Sequence, residues 1–293
     1  MDHIGDSSSN RDYRMRILAI ALMLIGGMMS LHAQTGCCAT SSVASFAAFA
    51  EDPTFRDMHP DPLPYSHQSD GKMVSVPVPG STTATAYRVE SHEPSTQYVL
   101  VFHEWWGLNG YIKNEADRIA ASLNHRATVI AVDLYDGKVA TTRDQAAQYM
   151  QAGSEERSRA IIDAVIASCG PTARIATIGW CFGGGWSMQA SLAAGDKAAA
   201  CVIYYGMPEF DVEKLRKLQA PVLGIFAARD KSITPDVVQR FEKAMSLAGR
   251  SLTTKTYDAD HAFANPSNPK HKVDDTKDAY ELTIDFLRKN LLL

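Results

Sequence analysis

From Met73 onward the chain alternates between short apolar runs and longer stretches with apolar residues every three or four positions. "MVSVPV" and "TATAYRVE", with a Pro-Gly turn between them, predict an antiparallel strand pair. "YVLVF", "ATVIAVDLY", "RIATIGW", "AACVIYYG" and "PVLGIFAARD" predict buried strands, and "LTTKTYD" a last one. Between them, "IKNEADRIAASL", "RDQAAQYMQ", "EERSRAIIDAVIAS", "GGWSMQASLAA" and "TPDVVQRFEKAMSLAG" have helical spacing, and "DDTKDAYELTIDFLRKNL" closes the chain as a helix. Thr234 is placed to cap the fifth of these helices, with Pro235 at its first position and Gly249 at its end. Strand then helix, with strands almost wholly apolar, predicts an α/β fold: a mostly parallel sheet of about seven to eight strands with helices on both faces. The alternation runs without a linker, so residues 71–293 are expected to form one domain.

The first seventy residues have a different pattern. "RDYRMR" supplies positive charge, Ile17 to Leu31 is an apolar run, and "HAQTG" follows. This is the order of a secretory signal ending near Ala33, and the run is short for a membrane span. Residues 1–33 are therefore expected to be an export signal, with an uncleaved N-terminal anchor as the alternative and lipid attachment at Cys37 as a third reading. Residues 34–70, Ser- and Ala-rich and then proline-rich, predict a linker or extended arm with little regular structure.

Composition narrows the function. Of 293 residues, 45% are hydrophobic, enough for a sizeable core, and the net charge of −4 gives no basic face for nucleic acid. Export would permit disulfides. However, Cys37 and Cys38 are adjacent, and Cys169, Cys181 and Cys201 have neither metal-ligand nor small-scaffold spacing. No HExxH or paired CxxC appears, so no metal or cofactor is expected. The expected partner is a small molecule, with a monomer favoured and no membrane contact beyond the N-terminal segment.

"IGWCFGGGWS" places Cys181 between a strand and a helix, with Gly179 and Gly183 two residues to either side. A nucleophile presented on a tight strand-to-helix turn needs neighbours without bulk at those positions, so Cys181 is a candidate nucleophile, with a buried core thiol as the alternative. A nucleophile needs a base, and the base an orienting acid. Asp230 ends the strand "PVLGIFAARD", and His261 follows "LTTKTYD" in the loop "ADHAFANP". Both fall at strand C-termini, in the chain order nucleophile, acid, histidine. The backbone N–H groups of Phe182 and of Trp105, in "HEWWGLN", are the oxyanion-hole candidates by position.

"HEWWGLN", "VDLYDGK", "IGWCFGGG", "YYG", "APVLGIFAARD", "DADHAFANP" and "FLRKNL" together resemble the dienelactone hydrolase family of the α/β-hydrolase fold, over about residues 97 to 293. The resemblance implies a cysteine-dependent hydrolase of a small ester or lactone working through a thioester. Cys181, His261 and Asp230 match the family's triad, and Glu104 matches a glutamate that holds the resting thiol and helps form the thiolate. In the family, arginines grip the substrate's carboxylate. One of these positions is Asn265 here, and Arg143 lies in the vicinity of another, so the resemblance does not carry the namesake dienelactone over to this chain. Trp105, Trp106, Trp186 and Tyr135 are candidates to line an apolar pocket, with core packing as the alternative. A non-catalytic or acyl-transferring member of the same fold is the competing reading.

Overall fold

The structure is a computed structural model that describes residues 41–293. The expected export signal, residues 34–40 of the arm, and Cys37 and Cys38 lie outside the described residues. No helix among those described is long and apolar enough to cross a membrane.

Eight strands form one sheet: β1 (Lys72–Val76), β2 (Ala84–Val89), β3 (Gln97–Phe102), β4 (Thr128–Val132), β5 (Arg174–Trp180), β6 (Ala198–Tyr204), β7 (Val222–Ala227) and β8 (Leu252–Tyr257). Their order is β1-β2-β4-β3-β5-β6-β7-β8, with β1 and β2 antiparallel and β3 to β8 parallel. The central strands are buried along almost their whole length, as their unbroken apolar runs require when both faces are covered. The edge strand β8 alternates exposure instead.

The helices of the parallel part are α3 (Gly110–Ser122), α4 (Arg143–Ala152), α5 (Glu155–Ser168), α6 (Phe182–Ala194), α8 (Pro235–Ala248) and α9 (Val273–Leu291), with a short α7 (Val212–Leu215). On β6, Tyr204 reaches α9, its hydroxyl donating to the Ala279 carbonyl at 3.0 Å, while Cys201 lies 3.7 Å from Ser187 Oγ on α6. Positions three apart on a strand point to opposite faces, so α6 and α9 cover opposite sides of the sheet. The expected cap of α8 is present: Thr234 accepts from the Val237 N–H, and Gly249 ends the helix at φ 67°.

The arm over residues 34–70 is corrected in part. Ser42–Ala47 forms helix α1, Ala48–Glu51 a 3₁₀ turn and Pro53–Asp57 helix α2. Val43, Phe46, Ala50, Phe55 and Met58 join the core, and the rings of Phe46, Phe49 and Phe55 pack within 5.4–5.7 Å of one another. Polar ties hold the segment down: Ser41 Oγ donates to Glu155, Gln189 Nε2 to Ser42 Oγ and Asn268 Nδ2 to the Met58 carbonyl. Val43, Phe46, Ala47 and Ala50 fall at helical spacing, but the helices are only six and five residues long, too short to stand alone, and tertiary docking orders them. From Met58 to Gly71 the chain has neither helix nor strand.

Candidate active site

Cys181 sits between β5 and α6 at φ 56°, ψ −119°. A side chain at positive φ costs about 1–3 kcal/mol and persists only where its surroundings enforce it. Here the Cys181 N–H donates to the Tyr204 carbonyl at 2.9 Å, and its carbonyl accepts from Gly184 at 3.0 Å. Both flanking glycines are sterically required. A Cβ on Gly179 would lie 2.0 Å from the Gly183 carbonyl oxygen, and one on Gly183 2.3 Å from that of Phe102. The thiol therefore stands at the positive end of α6, where the helix dipole favours negative charge.

Asp230 and His261 come together as expected. Asp230 Oδ2 accepts from His261 Nδ1 at 2.5 Å, and its other oxygen accepts from the N–H groups of Ser232 and Ile233 at 2.8 and 2.9 Å. Burial alone would push its pKa up, but the His261 ring and those N–H groups hold it below the ordinary carboxylate range. With Nδ1 committed, His261 Nε2 is left free. It is buried and has no hydrogen-bond partner among the described residues. One ring nitrogen of His261, the Cys181 sulfur and one ring nitrogen of His59 all lie within 4.8 Å of one another.

The Cys181 thiol is fully buried, and its pKa is raised well above that of a free cysteine. Burial is the largest cause, and the negative charge of Glu104 adds to it. The Phe182 N–H opposes the shift, Asp230 adds to it, and the Trp105 N–H opposes it. The N–H groups of Phe182 and Trp105, the two oxyanion-hole candidates, thus both act on the Cys181 sulfur. The Trp105 loop is pinned from behind by His103, whose Nδ1 donates to the Glu104 carbonyl at 2.6 Å while its Nε2 accepts from the Leu134 N–H at 3.1 Å.

Glu104 is 5% exposed, and burial raises its pKa to about 7; the His261 ring, the Asn265 amide and the Tyr205 hydroxyl pull it the other way. Asn265 therefore acts on Glu104: its Nδ2 donates to Glu104 Oε2, while its Oδ1 accepts from the backbone and hydroxyl of Ser267, both at 2.8 Å. Glu104, Trp106, Trp180, Tyr205 and Asn265 line a cavity that reaches α3 and α9. Its cation, Arg118, is paired with Glu115 at 2.7 Å and lies over the Tyr280 ring.

The remaining pocket candidates divide. Tyr135 and Trp186 pack on Phe182, at ring distances of 5.6 and 6.2 Å, and Trp105 packs against Phe55 and Trp106. Arg143 is engaged elsewhere, with the N-terminal segment. It binds the Arg56 carbonyl and Asp57, and its N–H donates to Asp61 at 2.8 Å, so it clamps the N-terminal segment.

Sequence reasoning does not single out His59, yet the structure places its Nε2 3.6 Å from Cys181 Sγ. Its Nδ1 donates to the Phe55 carbonyl at 2.7 Å, which leaves Nε2 as a bare acceptor for the thiol. Burial, then the charge of His261, lowers its pKa to about 3, so the ring is neutral. The resting thiol is therefore hydrogen-bonded to His59, and Glu104, the partner expected from the resemblance, acts on it through charge. The only sequence signal for this residue would have been a histidine beside the buried Phe55 and Met58, and nothing local marks those as buried.

The dienelactone hydrolase family profile matches residues 84–291. Protein usf of Aquifex pyrophilus is 28% identical over 206 residues, covering 66% of this chain and 88% of that protein. A carboxymethylenebutenolidase from a Pseudomonas species is 30% identical over 116 residues, covering 39% of this chain and 48% of that enzyme. Among solved structures, a dienelactone hydrolase-like promiscuous phosphotriesterase from metagenomic libraries superposes with a TM-score of 0.65 at 18% identity, over 76% of this chain and 99% of that one. That likeness carries the fold, and the profile match carries the lineage: the chain belongs to the dienelactone hydrolase family, α/β hydrolases of ester and lactone bonds.

Proposed function

We propose that the chain is a cysteine-dependent hydrolase of a small, uncharged ester or lactone, acting through a thioester on Cys181. One observation carries the reading: Cys181 sits at a strained elbow with the unbonded Nε2 of His261 nearby and Asp230 holding the far side of that ring. Substrate displaces the thiol from His59, and His261 Nε2 takes its proton. Sulfur attacks the acyl carbon, and the carbonyl oxygen, now negative, accepts from the N–H groups of Phe182 and Trp105. The carbon–oxygen bond to the leaving group breaks, and His261 returns the proton to that oxygen. Water, deprotonated by His261, then cleaves the thioester and regenerates the thiol.

The preference for an uncharged acyl group rests on charge. Asp230 and Glu104 flank the sulfur, a neutral Asn265 stands where the family's arginine would, and Arg118 is already paired. The test is turnover of an ester and lactone panel by wild type and Cys181→Ala. Neutral substrates are expected to turn over, with activity lost in the variant and after iodoacetamide. Turnover that survives both, or none across the panel, overturns the reading.

A further inference from the structure

Three nitrogen and sulfur donors converge at this centre, one more than a hydrolase triad offers. His59 Nε2 lies 3.6 Å from Cys181 Sγ, and one donor atom each from His59, Cys181 and His261 lie within 4.8 Å of one another, all buried. Tetrahedral zinc, with Zn–S of about 2.3 Å and Zn–N of about 2.0–2.1 Å, separates its sulfur and nitrogen ligands by about 3.5–3.6 Å.

Each imidazole is also held from behind as metal-binding histidines are. Phe55 O accepts from His59 Nδ1, and Asp230 from His261 Nδ1, so both rings direct Nε2 inward. His261 Nε2 is buried without a partner. The buried carboxylate of Asp230, bonded to the His261 ring, would be offset by a cation.

We propose that His59, Cys181 and His261 form a binding site for a thiophilic divalent cation, with Zn²⁺ the best match to this donor set, and that filling it silences the hydrolase. On binding, the Cys181 S–H bond breaks, its proton passes to solvent and sulfur bonds the metal, while both imidazoles donate lone pairs without losing a proton. One proton is released per cation. The nucleophile and the base are then both occupied. The silencing rests on the hydrolase reading; the binding does not.

The test is titration of the full chain with Co²⁺, reading the thiolate-to-cobalt charge-transfer absorption, followed by displacement with Zn²⁺. One cobalt per chain is expected, with the band absent in Cys181→Ser and affinity weakened at least about tenfold in His59→Gln. His59→Ala serves the same comparison, so either variant with the wild-type unfolding midpoint suffices. A wild-type chain without the band, or a folded His59 variant that binds as tightly as wild type, overturns the site. In parallel, Zn²⁺ should abolish ester turnover and a chelator restore it. Turnover unchanged at saturating Zn²⁺ overturns the silencing. Metal binding that depends on His59, in a chain that hydrolyses no ester, leaves the site standing and overturns the hydrolase reading instead.

Discussion

His59 and Cys181 stand 122 positions apart in the chain, yet the imidazole Nε2 is the hydrogen-bond acceptor of the thiol at 3.6 Å. The contact lies between a segment upstream of the family match and Cys181 near the middle of that match. It makes α1, α2 and the turn after them part of the site.

Phe55 anchors that segment. It is fully buried and packs edge-on against Trp105 at 5.1 Å and near His59 at 4.3 Å. Phe55→Ala is expected to cost about 3–5 kcal/mol in denaturant unfolding. It should also speed labelling of Cys181 by a bulky disulfide reagent, because the cover over the thiol loosens. A loss of stability with no change in labelling rate would mean that the segment stabilises the fold without guarding the site.

Glu104 links pH to stability with a definite sign. Its folded pKa of about 7 lies above its unfolded value, so the stability it contributes is full below the unfolded pKa and is lost as pH rises through 7. Relative to wild type, Glu104→Gln should gain up to about 3 kcal/mol at pH 8 and little at pH 4. Urea midpoints at the two pH values measure this, and a gain of equal size at both would refute it.

Asp230→Asn should keep the fold and lose turnover. The asparagine can present its NH₂ to His261 Nδ1 and so favour the tautomer whose Nε2 carries the proton, which removes the base. A fall in kcat of about 10³–10⁴-fold is expected against an unchanged circular dichroism spectrum. A fall below tenfold would show that His261 does not depend on this carboxylate.

Gly179→Ala tests the elbow. Its added methyl would meet backbone at 2.0 Å, and no flexible side chain is there to give way. The thermal midpoint should fall by an amount matching the upper end of, or more than, the about 1–3 kcal/mol of ordinary overpacking. A midpoint equal to wild type would mean that the turn has slack.

Most of the site was legible in the sequence because its signals are local. A strand pattern running into Gly-x-Cys-x-Gly and a helix sets the elbow by sterics between near neighbours. Asp230 and His261 sit at the ends of apolar strands, and a parallel sheet brings such ends to one edge. The alternation of periods was enough for a mostly parallel sheet of about seven to eight strands with helices on both faces. The roles of His59, Asn265 and Arg143 were not legible. They depend on the side chains each one meets across the fold: the thiol for His59, Glu104 for Asn265, and Asp57 and Asp61 for Arg143. The meetings of His59 and Arg143 follow from burial of Phe46, Phe55 and Met58 against the core, a hydrophobic gain that exists only once the sheet and α6 are in place, and that of Asn265 from the sheet bringing its loop beside the one after β3.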